Sequence, residues 1–152
     1  NINKKNELKK ILNYHKDDQV IIFTSYIETS KHLFDVLSKY YDIDFINGDV
    51  DVKKRNIIIE KFIKNKTQHI IATKEVMGMS QNLQNANVII FYDHGWSMPQ
   101  KKQAKEKILR LNQEKKCYIY NLYYKNTIEH EILFRVNEKE NNFITLMKAL
   151  EI

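Results

Sequence analysis

The chain alternates between segments with helical spacing of apolar residues and short continuous apolar runs. Helical spacing is clear near the start, where Leu8, Ile11 and Leu12 share one face. Continuous apolar runs between polar segments are typical of strands that are buried on both faces of a parallel sheet. The runs predict five strands: "QVIIFT", "DIDFI", "HIIAT", "NVIIFYD" and "CYIYNLYY".

Predicted helices fill the intervals between these strands. They cover "NELKKILNYH", "ETSKHLFDVLSKYY", "DVKKRNIIIEKFIKN" and "KQAKEKILRLNQ" (102–113), and a final helix begins near Thr127 and continues toward Leu146. Strands that alternate with helices imply right-handed crossovers, so the predicted fold class is α/β, a three-layer α/β/α domain with a mainly parallel central sheet. Glycine and proline are too scarce to mark an internal boundary, so a single domain is predicted over 1–152. Its parts are a leading helix or linker over about 1–18, a core over 19–125 and a C-terminal helix over 126–152.

Hydroxyl, basic and aromatic side chains follow the predicted strands. In a parallel α/β sheet, ligands gather at the carboxyl ends of the strands. Small and hydroxyl-bearing residues there let backbone amides and side chains approach phosphates closely. The residues that converge on this edge are Thr24 and Ser25, Asn47 to Asp49, Thr73 and Lys74, the segment "KEVMGMSQNL" that contains Gly78, Ser80 and Asn82, and the segment "HGWSMP" that contains Trp96.

The charge balance makes a polyanion a plausible partner. Lysine and arginine number 25 against 19 acids, which gives a formal net charge of +6. Lys53, Lys54, Lys101 and Lys102 are candidates for phosphate contacts, and the alternative for each is a solvated surface. The single Cys117 excludes a disulfide framework, and no apolar run approaches the roughly 20 residues of a membrane span, so a soluble intracellular protein is expected.

Five blocks of the sequence, taken in order, carry a family resemblance. The blocks are "VIIFTSY", "INGDVDVKKRNIIIEKF", "TKEVMGMSQNLQNANVIIFYDHGW", "QAKEKILRLNQ" and "NTIEHEI". Their order is similar to the second (C-terminal) RecA-like lobe of superfamily-two helicases, in the Swi/Snf (Snf-two) branch of DNA translocases. The resemblance extends from about Gln19 to about Leu133. In the fourth block the residues that match the family pattern are Gln103, Ala104, Arg110 and Gln113.

The resemblance implies an arginine finger on the helix of the fourth block. Arg110 would face ATP bound to a partner lobe, where a guanidinium is always charged and can stabilise charge on the transferred phosphoryl group. Lys107 stands where the family has its first arginine, and it keeps the charge without the planar fork. The alternative for Arg110 is a side chain whose stem lies along an apolar stripe.

The resemblance implies further roles, each with a structural alternative. For the strand-end residues the alternative is ordinary turn chemistry, and for Trp96 it is packing. Phe62 is expected in the core and Arg55 as a structural tether. The implied sites are Gly78, Gln103 and Gln113 at the ATP interface, and Thr24, Ser25, Thr73, Lys74, Ser80, Asn82 and Trp96 at the nucleic acid.

An absence in the sequence shapes the expected activity. Glycine occurs only at positions 48, 78 and 95, so the chain contains no Gly-x-x-x-x-Gly-Lys-Ser/Thr phosphate loop. ATP and Mg²⁺ are therefore expected to bind mainly to an N-terminal RecA-like lobe of the same protein, and the isolated chain is expected to be monomeric and inactive. Metal-ligand spacing is missing around the histidines considered, and no metal site is predicted: His32, His69, His94 and His130.

The expected function is the C-terminal lobe of an ATP-dependent DNA translocase or helicase that acts on DNA, in duplex form. Two alternatives stay open. One is the lobe of a restriction-type or RNA helicase. The other is a non-hydrolysing module that binds nucleic acid or docks a partner, and Lys107 together with the irregular glycine turn "MGMSQNL" favours it.

Overall fold

The structure, a computed structural model, describes residues 2–74, 83, 85–93, 95–108, 116–124 and 143–150. Helices and strands alternate along most of this part of the chain, as the sequence predicts. In chain order they are α1 (Ile2–Tyr14), β1 (Val20–Phe23), α2 (Ile27–Leu37), β2 (Ile43–Ile46), α3 (Val52–Ile63), β3 (His69–Ala72), β4 (Val88–Phe91), α4 (Met98–Ile108), β5 (Cys117–Tyr124) and β6 (Phe143–Leu150).

The strands within the described residues form one sheet in the order β2-β3-β1-β4-β5-β6. Every neighbouring pair in this order is parallel, which confirms the predicted α/β fold class. The first four strands are in level register and end together at Ile46, Ala72, Phe23 and Phe91. Strands β5 and β6 are twice as long, at eight residues each.

The sheet is covered by helices on both faces, which explains why the strands are apolar without alternation. Successive strand residues point to opposite faces, so Ile21 and Phe23 belong to one core cluster and Val20 and Ile22 to the other. Helices α3 and α4 cover the first face with Ile58, Ile59, Phe62, Ala104 and Ile108, and helices α1 and α2 cover the second with Leu8, Ile11, Leu12, Leu33 and Leu37. Phe62 is fully buried, as predicted.

The predicted C-terminal helix is wrong over residues 143–150, which form β6. The segment "FITLMKAL" is almost continuously apolar, and periodicity alone does not separate a buried strand from a buried helix in such a run. Its β-branched Ile144 and Thr145 favour a strand, and β6 pairs with β5 from Cys117↔Phe143 to Tyr124↔Leu150. The remainder of that predicted helix, 126–142 and 151–152, lies outside the described residues.

Side-chain amides close the amino edge of the sheet. The Gln19 amide donates to the backbone carbonyls of Phe62 at 2.8 Å and Thr67 at 3.1 Å. The Asn87 amide donates to the Asp18 carboxylate at 3.0 Å. These bonds engage the side-chain amide nitrogens of Gln19 and Asn87, the residues directly before β1 and β4, within the chain.

A buried histidine joins the end of α1 to β5. His15 Nδ1 lies 2.8 Å from the Asp18 carboxylate and its Nε2 lies 2.7 Å from the Tyr120 hydroxyl. Burial raises the pKa of Tyr120 to about 12. Both rings are almost completely buried, so this arrangement has no access for a substrate and acts as a structural connection.

Acidification is expected to destabilise the domain through His69, the first residue of β3. Burial, opposed by the charge of Asp18 and reinforced by that of His15, lowers the pKa of His69 to about 4. The neutral ring is needed because its Nδ1 accepts the N–H of Val20 at 3.2 Å. The unfolded chain takes up the proton near pH 6.5 and the folded chain does not. Stability is therefore complete above pH 6.5 and falls toward pH 4, by about 2 kcal/mol between pH 7.5 and pH 5.

Urea unfolding of the domain at the two pH values measures this loss. The matched variant is His69→Asn, whose side-chain oxygen can accept the same N–H and does not titrate. The difference in pH dependence between the two proteins isolates His69 from other titrating groups. Equal pH dependence in both would contradict the assignment.

Candidate nucleic-acid and nucleotide interface

The level strand ends produce two rows of residues at the carboxyl edge. The first row consists of Thr24, Asn47, Thr73 and Tyr92, each directly after a strand, and all are buried. The second row consists of Ser25, Gly48, Lys74 and Asp93, each one position further, and all are at least partly exposed. Sequence reasoning brought the threonines and their neighbours together correctly, and the structure separates them by depth.

The first row continues the sheet. The N–H of Thr24 donates to the carbonyl of Ala72 at 2.9 Å, and the N–H of Thr73 donates to the carbonyl of Ile46 at 3.1 Å. The Thr24 hydroxyl donates to the carbonyl of Tyr26 at 3.2 Å. Thr24 and Thr73, two of the predicted nucleic-acid residues, are therefore buried positions that extend the sheet, whereas Ser25 and Lys74 reach the surface.

Asn47 fixes the turn between β2 and α3. Its amide donates to the Ser30 hydroxyl at 3.1 Å, and its side-chain oxygen accepts the N–H of Asp49 at 2.9 Å. An asparagine that bonds its own backbone two residues on is a common turn device. The Arg55 guanidinium lies 3.5 Å from the Val50 carbonyl in the same turn, which agrees with the predicted tether.

Ser25 is held by the carboxylate of Asp93, across the ends of β1 and β4. Its N–H lies 3.0 Å from one carboxylate oxygen and 2.9 Å from the other, and its hydroxyl donates to the first at 2.6 Å. Gly95 also lies close to this hydroxyl, since a Cβ at position 95 would lie 1.9 Å from Ser25 Oγ. Both donors of Ser25 are thus occupied from within the chain.

Trp96 lies below the surface of the carboxyl edge. It is only 4% exposed, and its ring packs edge-on against Phe23 with a centroid distance of 4.9 Å and is tilted against Phe91 at 5.5 Å. The structure thus supports the packing alternative for Trp96 and leaves no open ring face for stacking on a base. Lys74 Nζ lies 5.7 Å from the Trp96 ring centroid, so the indole supports this lysine from beneath.

Helix α4 starts four residues before the predicted helix, at Met98. Its beginning is a capping box: the Ser97 hydroxyl accepts the N–H of Gln100 at 3.2 Å, and the Gln100 side chain accepts the N–H of Ser97 at 2.9 Å. The sequence carries this signal as Ser97-x-x-Gln100, and sequence reasoning missed it. The box also tolerates Pro99, because a proline in the first turn loses no helical hydrogen bond.

Lys101 anchors α4 to the sheet, and the prediction of a phosphate-contacting or solvated lysine is wrong at this position. Its amino group is buried, donates to the Asn121 side-chain oxygen of β5 at 2.8 Å and lies 5.1 Å from the Phe91 ring centroid. A long stem lets the amino group cross from a helix to the sheet. The other three lysines, Lys53, Lys54 and Lys102, are exposed.

The predicted residues of the nucleotide interface are described only in part. Gln103 is exposed on α4. Lys107 is on the same helix, and its side chain is not described. The predicted site residues that lie outside the described residues are Gly78, Ser80, Asn82, Arg110 and Gln113.

No group of three or more histidines, cysteines and acids in the described part of the chain could hold a metal ion. None of the helices there combines the length and the apolar content that a membrane span requires.

A model of the helicase conserved C-terminal domain family matches residues 3–112, more than two thirds of the chain. This chain is a helicase conserved C-terminal domain. The domain is 27% identical over 148 residues to YwqA of Bacillus subtilis (strain 168), whose name makes it a candidate ATP-dependent helicase/translocase; the match covers 90% of this chain and 16% of YwqA. It is 28% identical over 137 residues to the DNA repair and recombination protein RAD54-like of Drosophila persimilis, with 88% of this chain and 17% of that protein covered.

Solved structures agree with this assignment. The C-terminal part of the Fun30 ATPase domain superposes with a TM-score of 0.76 at 29% identity, covering 90% of this domain and 46% of that chain. The C-terminal domain of the DEAD-box protein Dbp5 superposes with a TM-score of 0.74 at 17% identity, covering 99% and 84%, and shows the RecA-like fold alone. The resemblance to the Swi/Snf branch is confirmed. The domain spans about a sixth of the length of the curated relatives it matches.

Proposed function

We propose that the full-length protein is an ATP-dependent DNA translocase in which this helicase C-terminal domain pairs with an N-terminal RecA-like lobe. The observation that carries this proposal is that the residues assigned to nucleic acid and the helix assigned to nucleotide both start at the carboxyl edge of the sheet. Ser25 and Lys74 project from the carboxyl edge, and α4 begins at that same edge before it continues toward Arg110. Nucleotide and nucleic acid can therefore both act on the same group of strand ends.

The nucleotide side is assigned to the end of α4 and the residues after it. Arg110 follows two positions after Ile108, the last described residue of α4, and it is the proposed arginine finger. The capping box and the Lys101 to Asn121 bond fix both the start and the buried face of this helix. A fixed helix before Arg110 is expected to lower the cost of reorganisation when charge develops in the transition state. Gly78, Gln103, Lys107 and Gln113 are proposed to complete the interface with ATP.

The nucleic-acid side is assigned to the second row and the loop that follows Lys74. Lys74 supplies charge, and its position above the Trp96 ring keeps it at the surface. Ser25 supplies donors for a backbone phosphate, a contact that gives affinity without reading the sequence. Ser80 and Asn82 are proposed to extend this surface, and buried Thr24 and Thr73 support it.

ATP and Mg²⁺ are proposed to bind mainly on the N-terminal lobe, where Mg²⁺ neutralises charge on the phosphates. Closure of the two lobes brings Arg110 to the nucleotide, and reopening after hydrolysis shifts one backbone-gripping surface relative to the other. Repeated cycles move the protein along DNA. Strand separation is not required by this cycle.

ATP hydrolysis by the full-length protein tests this function. We expect duplex DNA to stimulate the rate strongly, RNA to stimulate it weakly, and the isolated domain to hydrolyse no ATP. Stronger stimulation by RNA would support an RNA helicase instead. The presence of Lys107 in place of an arginine favours a second candidate, a non-hydrolysing nucleic-acid-binding module. DNA binding without any stimulated hydrolysis would establish that alternative.

A further inference from the structure

We propose that Asp93 is an internal competitor of nucleic-acid phosphate for the two hydrogen-bond donors of Ser25. In the free domain the carboxylate occupies the donors, and a bound backbone phosphate displaces it. This role of Asp93 rests on the proposed function, because it requires that Ser25 belongs to the surface that contacts nucleic acid. It makes Asp93 a residue that sets affinity without touching the nucleic acid.

The competition follows from the donors that the two anions share. The Asp93 carboxylate accepts the Ser25 N–H at 2.9 and 3.0 Å and the Ser25 hydroxyl at 2.6 Å. A phosphate group offers the same kind of charged oxygen acceptor to the same kind of donor. The two donors of Ser25 cannot bond fully to Asp93 and to a phosphate at the same time, so the bond to Asp93 weakens the binding of the phosphate.

Gly95 crowds the hydroxyl for which the two anions compete. A Cβ at position 95 would lie 1.9 Å from Ser25 Oγ, which donates to Asp93, and the single proton of a hydroxyl serves one acceptor at a time. A phosphate can therefore gain this donor only when the carboxylate leaves. The Ser25 N–H is fixed by the backbone and is released by the same movement.

Displacement is feasible because both partners lie near solvent. Ser25 and Asp93 are half-buried members of the second row, unlike the fully enclosed threonines of the first row. A released carboxylate can rotate into water without opening the core. Asp93 also precedes the segment that leads to Ser97 and α4, so its release would loosen the connection between the nucleic-acid surface and the helix that carries Lys107.

The alternative is that Asp93 only connects the ends of β1 and β4. The two roles predict different sizes of effect on binding. If Asp93 is only a structural contact, Asp93→Asn should tighten DNA binding no more than the loss of another surface carboxylate does, whereas removal of a competitor tightens it further.

The test is duplex DNA binding by the full-length protein without nucleotide, measured at several salt concentrations. We expect Asp93→Asn to lower the Kd about tenfold, equivalent to about 1.4 kcal/mol, since charge-assisted hydrogen bonds are the strong ones. The matched control is Asp49→Asn, which removes the same charge from an exposed carboxylate that follows β2 and lies 3.2 Å from Lys31. The loss of one surface charge is expected to change Kd by about twofold.

Serine variants separate competition from general electrostatics. Ser25→Ala alone removes the hydroxyl both from the Asp93 contact in the free protein and from the proposed phosphate contact in the complex, so its effect on the Kd should be clearly smaller than the roughly tenfold effect of Asp93→Asn. Ser25→Ala in the Asp93→Asn background should remove much of the excess tightening and bring the Kd toward that of Asp49→Asn. Thermal unfolding of every variant reports whether the domain stays folded.

Three results would overturn the competitor role. The first is equal tightening of DNA binding by Asp93→Asn and Asp49→Asn, and the second is weaker binding by a folded Asp93→Asn protein. The third is a strong loss of binding by Ser25→Ala alone, a result that can be obtained even if the Asp93→Asn protein does not fold. If the unmodified protein binds no DNA, the proposed function fails and this role fails with it. If it binds DNA and hydrolyses ATP but Asp93→Asn does not tighten binding, this role alone fails.

Discussion

Replacing Arg110 with alanine in the full-length protein is expected to lower DNA-stimulated ATP hydrolysis by about 10³-fold, the lower end of the effect of arginine fingers. The physical reason is the loss of a fixed positive charge at the transferred phosphoryl group. Duplex DNA binding should stay within about twofold of the unmodified protein, because the lost charge belongs to the nucleotide side. Steady-state hydrolysis at saturating DNA and a direct binding titration measure the two quantities.

Substitutions of two other residues, both on α4, serve as comparisons for the Arg110 result. Lys102→Ala removes an equal charge from an exposed residue that forms only a long ion pair with Glu106, at 4.0 Å, and should leave hydrolysis unchanged. Lys107→Arg restores the planar fork and should raise hydrolysis. Full activity in Arg110→Ala would refute the finger role, and recovery of an inactive protein by Lys107→Arg would identify a weakened motor.

Replacing Phe23 with alanine is expected to lower the free energy of unfolding of the domain by about 3–5 kcal/mol. Phe23 is fully buried at the end of β1, where its ring stacks against Phe91 at 5.5 Å and meets Trp96 at 4.9 Å. Its removal leaves a cavity directly beneath the carboxyl edge. A loss of this size is a large share of the total stability of about 5–15 kcal/mol of a typical domain.

Urea unfolding followed by the fluorescence of Trp96, the only tryptophan of the chain, measures the change. Phe23→Leu keeps most of the buried volume and should cost clearly less than Phe23→Ala. A similar cost for both substitutions would show that the ring contacts, rather than the filled volume, stabilise this region. An unchanged midpoint for Phe23→Ala would contradict the core position of the ring.

Strands β1 to β5 could be predicted from sequence because each is a short apolar run with polar flanks. The apolar positions of α1, α2 and α3 located those helices in the same way. The start of α4 was placed too late because its first turn, Met98 to Lys101, offers a proline and polar residues and little helical periodicity. Its true signal is the hydrogen-bonding pattern of Ser97 and Gln100, which apolar spacing does not report.

Strand β6 was missed for a different reason. An apolar segment becomes a strand or a helix according to the surface that is available to it, and the free edge of β5 is created only by the fold. No local feature of residues 143–150 states that such an edge exists.

The sequence predicts which strand ends form the candidate site, and it does not predict the contacts between their side chains. Parallel topology alone brings Thr24, Ser25, Thr73 and Lys74 to one edge. Depth decides which of them meets solvent, and depth follows from the level register of the strands. The bond between Ser25 and Asp93 joins positions 68 apart, and the burial of Lys101 depends on Asn121 of another strand, so neither has a local signal.

The unequal strand lengths give the carboxyl edge a direction. The register pairs Phe91 with Asn121, so Leu122, Tyr123 and Tyr124 of β5 continue past the end of β4 by about 10 Å, with β6 alongside. The edge is thus a step, low over β2, β3, β1 and β4 and high over β5 and β6. Among the described strands, a rigid rod-like ligand placed at the second row would therefore meet the longer β5 and β6 on one flank.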